Sequence, residues 1–204
     1  MKKELKKGIF MGILLATVLF GVIKIAENLT KTTMLSGIMV NTGFSEAEQL
    51  QLKNIIRERL GESHVSGVIH FAPAQLEHFR TVQDLNGTGY QALQGILSLC
   101  HSQEVDFAVM DQTALDILTQ QDIFMDVRTF LNSEEQVRWE EKFVFVLAGE
   151  GADPKPVALD VTQLPLFRDM AEQGSVYFAV MDKTARKETC QTFWNVICGW
   201  EEIE

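Results

Sequence analysis

Chemistry in a protein chain needs particular side chains at particular spacings, and the candidates here are few. There are four histidines in 204 residues: His64, His70, His78 and His101. His64 and His70 fall on one apolar stretch, six positions apart, so on a strand they share a face about 20 Å apart. That is too far for one metal ion, although His70 and His78 could meet across a turn at Pro73. Carboxylates are plentiful, with Asp106, Asp111, Asp116, Asp122, Asp126, Asp160 and Asp182 near the ends of apolar runs. Paired acids of a glycosidase stand ~5–9 Å apart across a cleft, and spacing along a chain does not establish that. Asp111 precedes a helical pattern and reads first as its N-cap. The chain contains no G-x-S-x-G, no H-E-x-x-H and no C-x-x-C. Asn41-Thr42-Gly43 lacks the lysine of a phosphate loop, and the glycines of NGTGYQALQG suit a turn and helix start. No catalytic residue, metal site or cofactor is expected.

Cys100, Cys190 and Cys198 are the three cysteines. Cys190 and Cys198 lie eight residues apart on one helical pattern, about 12 Å at 1.5 Å per residue, beyond disulfide reach. A bond from Cys100 to either is open, and three small buried hydrophobes is the plainer reading.

The elements that must position these groups follow from periodicity and caps. Leu35–Asn41 reads as a first strand. Ser45 and Glu48 form a capping box for the helix ending at Gly61, with Ala47, Leu50, Ile55 and Ile56 on its apolar face. A strand at His64–Phe71, ended by Ala72-Pro73, and a helix at Thr88–Ser102 carrying Leu93, Ile96, Leu97 and Cys100 inward come next. Val105–Met110 is a short strand, Asp111 caps DQTALDILTQQ and Ser133 caps SEEQVRWEEK. Phe143–Ala148 is the most apolar strand, followed by the loop GEGADPKP. Val157–Val161, Pro165–Gln173 and Val176–Val180 read strand, helix, strand, and residues 184–200 form an amphipathic terminal helix. Strands that alternate with helices and are apolar throughout predict an α/β domain. Its single sheet is mainly parallel or mixed, with helices on both faces. In such sheets ligands gather beyond the C-terminal ends of the strands. That rule assembles Asn41, Thr42, Pro73, Asp111, Gln112, Asp160, Thr162, Asp182 and Lys183.

Charge and hydropathy divide the chain. The formal net charge is −10. Residues 1–31 hold six lysines against two glutamates, a balance of +4, which leaves −14 on the rest. An acidic body excludes nucleic acid as partner, since phosphate binding needs clustered Lys and Arg. MKKELKK precedes the uncharged run 8–23, and residues 8–26 suffice for a transmembrane helix if Lys24 snorkels. The lysines before the span place the N-terminus in the cytoplasm. A cleavable signal peptide has a similar start, but no A-x-A pair follows, and no cysteine offers a lipid anchor. The expected organisation is a cytoplasmic stub and anchor over 1–26, a linker over 27–34 and an extracytoplasmic domain over 35–204.

The stretch EVDFAVMDQTALDILTQQDIFMDVRTFLNSEE resembles a segment of bacterial extracellular solute-binding proteins of the type 2 periplasmic-binding fold. Their strand of the form xVDxxxxD is followed by a helix and a turn, in which Asp122 stands here where the family often has Gly. PVALDVTQLPLFRD resembles the family's strand exit, and VYFAVMDKTARKETCQTFWNVI its closing strand and helix, without the family's asparagines. The likeness spans residues 35–200 in element order. Family members are two-lobed and bind solute between the lobes, whereas this body is about one lobe long. Between Phe143 and Val157, where a second lobe would be inserted, stands a short loop. The resemblance implies fold ancestry and an extracytoplasmic place. With the anchor and the absence of a catalytic signature, the expectation is a membrane-anchored, non-enzymatic binding or interaction module, its partner a protein of the envelope or a small solute. The alternative is a solute receptor whose cleft is completed by dimerisation or by a partner.

Overall fold

The structure, a computed structural model, describes residues 33–42, 45–60, 68–74, 76, 87–147, 153–168 and 174–199. The leader, His64, His78 and Gly61 lie outside the described residues. No helix among the described residues is long and apolar enough to cross a membrane.

Among the described residues six strands form one mixed sheet: β1 (Thr33–Val40), β2 (Val68–Ala74), β3 (Phe107–Met110), β4 (Phe143–Leu147), β5 (Pro154–Asp160) and β6 (Tyr177–Val180). Their order across the sheet is β2-β1-β3-β6-β5-β4. The first three strands run parallel, Met39 opposite Pro73 and Gly37 opposite Phe107. The other three join antiparallel, β6 against β3, β5 against β6 and β4 against β5. The expected α/β class and single sheet are therefore present, and half of the sheet is antiparallel. Thr33 and Met34, read from sequence as linker, already belong to β1, where Met34 is buried. Strand β2 runs through Pro73 rather than stopping before it. It lies at the sheet edge, where the missing N–H costs no ladder bond. Similarly β5 begins at Pro154 within the expected loop. The half of β5 that carries Pro154 and Pro156 has β4 as its partner and extends beyond β6.

Among the described residues seven α-helices cover the sheet: α1 (Glu46–Leu60), α2 (Gly87–His101), α3 (Gln112–Leu118), α4 (Val127–Phe130), α5 (Ser133–Trp139), α6 (Pro165–Arg168) and α7 (Lys187–Cys198). Alternation along each strand sends successive residues to opposite faces and so builds two cores. Leu35, Met39, Phe107, Val109 and Phe178 pack with Leu52 and Ile56 of α1 and with Phe193, Trp194 and Ile197 of α7. Ile38, Val40, Ala108, Met110 and Ala179 face the other way, against Leu93, Ile96 and Cys100 of α2 and Leu115 and Leu118 of α3. The buried face of α1 is thus Leu52 and Ile56, with Ile55 half-buried. The expected Leu50 is 60% exposed and Ala47 is exposed too. Cys100 belongs to one core and Cys190 and Cys198 to the other, on opposite faces of the sheet, and all three are free thiols.

Helix caps explain where several elements start. The backbone N–H of Ser45 donates to Glu48 Oε2 at 2.7 Å, and that of Glu48 donates to Ser45 Oγ at 3.3 Å, the expected capping box. The cap of α5 is Asn132, not Ser133. Its side-chain oxygen accepts from Glu134 and Glu135, and the Glu135 carboxylate accepts from the Asn132 N–H. Asp122 adopts φ 48°, a left-handed conformation that Gly enters freely and Asp tolerates.

Candidate functional site

The sheet reverses its winding between β1 and β3: β1 passes through α1 to β2 on one side, while β3 leads into α3 over the other face. Crevices of open α/β sheets form at such a point, beyond the strand C-termini. Asn41 leaves β1 there with φ 57°, a left-handed turn that its short polar side chain supports. The side chain bridges three segments. Its Nδ2 donates to Asp111 Oδ1 at 3.0 Å, and its Oδ1 accepts from the N–H of Leu76 at 2.6 Å. Its backbone N–H donates to Ala74 O at 3.0 Å. Asp111 is the N-cap of α3, its Oδ1 accepting from the Ala114 N–H at 2.8 Å. Thr42 adds a long bond to the carbonyl of Val109, 3.4 Å.

A second group sits at the same end, where β5 exits. Asp160 Oδ1 accepts from the N–H of Thr162 at 3.0 Å. The Thr162 hydroxyl accepts from the Val176 N–H at 2.9 Å and faces the Val176 carbonyl at 3.4 Å. Between the two groups stands Tyr177, which pairs with Met110 on β3 and with Asp160 on β5. Its hydroxyl donates to Gln112 Oε1 at 2.5 Å, while Gln112 Nε2 donates to Asp116 Oδ1 at 2.7 Å. Tyr177 has no counterpart in the sequence reading. The signal available was an aromatic residue with a polar tip opening an otherwise apolar strand.

Six of the seven expected ligand-binding residues therefore gather at one end of the sheet: Asn41, Thr42, Asp111, Gln112, Asp160 and Thr162. Asp182 does not join them, nor does Lys183. Both follow β6, and β6 is antiparallel to β3, so its C-terminus emerges beside the N-termini of β1 and β3. There the Asp182 N–H donates to the Ile123 carbonyl at 2.9 Å. Asp182 and Lys183 help line a small cavity of about 50 Å³ with Cys100, His101, Asp122 and Met181. The Cys100 thiol lies 3.6 Å from Met181 Sδ, and burial pushes its pKa up to about 11. An open concavity of about 670 Å³ follows β6 along Ala185–Gln191, at the start of α7.

The same opposite end holds a polar centre that sequence reasoning missed. Asp106 has no exposed surface. Its carboxylate accepts from the Ser36 N–H at 2.7 Å, the Thr184 hydroxyl at 2.6 Å and Arg186 Nε at 2.8 and 3.0 Å. Arg186 Nη2 also donates to the carbonyls of Gln103 and Glu104. A carboxylate so surrounded ties β1, β3 and the entry to α7 together. Asp106 stood among the carboxylates at the ends of apolar runs, but nothing local marked Thr184 or Arg186 as its partners.

Among the described residues, no three His, Cys, Asp or Glu side chains converge as a metal ion would require. The polar atoms at this end of the sheet, where β1, β3 and β5 exit, act on one another and on backbone groups, as braces between strand ends. Comparison with protein-family models, with curated proteins and with solved structures returns no match to this chain.

Proposed function

We propose that this chain is a membrane-anchored, non-enzymatic interaction module whose acidic α/β body stands outside the cytoplasm on the apolar segment 8–26. The reading takes its placement from the basic, apolar leader and its class from the resemblance to one lobe of a solute-binding protein. The observation that carries it is the use of Asn41. At the point where an open sheet offers its ligand crevice, the Asn41 carboxamide is bonded on both sides, to Asp111 at 3.0 Å and to the Leu76 N–H at 2.6 Å. Gln112 is likewise bonded, to Tyr177 and to Asp116. A receptor for a small polar solute needs such groups turned towards the solute; here they hold the strand ends to each other. Asp111 and Asp160, the acids best placed for hydrolysis, each accept from a backbone N–H, which supports a structural role for both.

Membrane fractionation with intact-mass measurement of the mature chain tests the placement. Retention of Met1 through Lys31 in the pellet is the expected result, and a soluble product starting near residue 27 would overturn the anchor. Thermal shift of the full chain in detergent, against panels of sugars and amino acids, tests the class. No shift is expected. A shift at micromolar solute that Asp111→Asn abolishes would establish a solute receptor instead.

A further inference from the structure

The two edges of the sheet differ in how they are protected. At one edge β2 carries an exposed proline, Pro73, and the exposed His70. Proline on an edge strand is a common device against pairing with another chain. At the other edge β4 reads Phe-Val-Phe-Val-Leu, with no charge, proline or glycine. Among the described residues no strand lies on its outer side, and Phe145 is 53% exposed at its centre. Its pairing with β5 shifts register between Val144 and Phe145, but the strand carries no charge or proline, and an uncharged apolar edge is a template for a further strand.

We propose that the outer edge of β4 docks an extended basic segment of another protein by strand addition. The inference rests on the reading of the chain as an interaction module and names its surface and its class of partner. Main-chain hydrogen bonds to an open edge supply affinity, and side chains at alternate positions supply selectivity. The charge of the partner follows from what leads into the strand. The segment that enters β4 holds Glu134, Glu135, Glu140 and Glu141 against Arg138 and Lys142, an acidic balance, on a chain of net charge −10. Two copies would each bring the net charge of −10, and like net charge keeps chains apart. A strand of β-branched residues flanked by Lys or Arg meets both the apolar edge and its acidic approach.

The probe is a fluorescent nonapeptide alternating valine and threonine between terminal lysines, titrated against the full chain in detergent. Micromolar binding that weakens at high salt is expected, with amides of Val144 to Val146 gaining hydrogen-exchange protection. Phe145→Lys, at an exposed position, should keep the melting temperature and weaken binding at least tenfold. Absence of binding would overturn the proposal, as would equal binding by Phe145→Lys or by the same peptide with terminal glutamates. Dimerisation of the peptide-free chain that Phe145→Lys abolishes would overturn it in favour of a second copy. Failure here with the chain retained in the membrane and unresponsive to solutes removes only the β4 surface. A solute-induced thermal shift removes the underlying reading.

Discussion

Asp106 and Arg186 stand 80 residues apart in the chain and meet as a buried ion pair, the guanidinium Nε 2.8 and 3.0 Å from the two carboxylate oxygens. The carboxylate has no exposed surface, whereas the arginine side chain is 23% exposed and also reaches the carbonyls that precede β3. Removing one partner of such a pair leaves the other desolvated and uncompensated, a loss of about 3–5 kcal/mol. Asp106→Ala should lower the unfolding free energy by that amount. Arg186→Lys should fall between the two, because a lysine keeps the charge and not the planar fork. Urea titrations followed by circular dichroism decide it, and an Asp106→Ala loss below about 1 kcal/mol would mean the pair does not hold the sheet to α7.

Gly37 lies under an aromatic ring. A Cβ built there would fall 2.2 to 2.8 Å from ring atoms of Phe107, and Phe107 stacks in turn on Phe193 at 4.4 Å between centroids. The ring has no free space to move into, so Gly37→Ala overpacks the core and should cost about 1–3 kcal/mol. Trimming the ring in the same chain, Gly37→Ala with Phe107→Leu, should recover part of that loss. Additive losses in the double variant would contradict the contact.

The three thiols should be inert in the folded chain. Burial pushes Cys100 to about 11 and Cys198 to about 12, and raises Cys190 further, helped by the charge of Asp106. Thiolate is the reactive form, so at pH 8 almost none is present. Iodoacetamide followed by intact mass should show no adduct on the native chain and three after guanidinium. Rapid native modification of one thiol would show that its core opens.

Acid should remove one exposed tether. Hydrogen bonds from the Arg128 side chain and backbone, 2.9 Å each from Nε and N to Oδ1, hold the Asp126 carboxyl below its ordinary value. A carboxyl lowered on folding contributes stability above its unfolded value of about 3.9, and that contribution disappears as pH falls through the folded value. Asp126→Asn should therefore be less stable than the parent at neutral pH, with the gap closing below about pH 4. A gap independent of pH would assign the effect to packing.

Much of the secondary structure was legible because its determinants are local. Ser45 with Glu48 and Asp111 with Ala114 are contacts over three residues, and the inward residues of α2 follow helical period. Where local signals competed, the sequence reading slipped. Asn132 and Ser133 are adjacent good caps, each with a box partner three residues on, Glu135 and Gln136, and Gln136 is engaged instead with the carbonyls of Arg128 and Leu131. On α1 the apolar residues Ala47 and Leu50 fit the period as well as Leu52 does, and the packing of the helix against α7 in their shared core chose between them.

The sequence by itself determined the α/β class, the order of most elements and most of the polar residues at one end of the strands, because period, caps and turn residues act over a few positions. Asn41, Thr42, Asp111, Gln112, Asp160 and Thr162 follow strands that all point one way. Only the tertiary structure decided the direction of β6, which took Asp182 to the far end, and the meeting of Asp106 with Arg186. A strand has the same alternation whether it runs up or down, and a carboxylate carries no mark of a partner 80 residues away. Those choices belong to connection geometry and to the packing of two cores across one sheet.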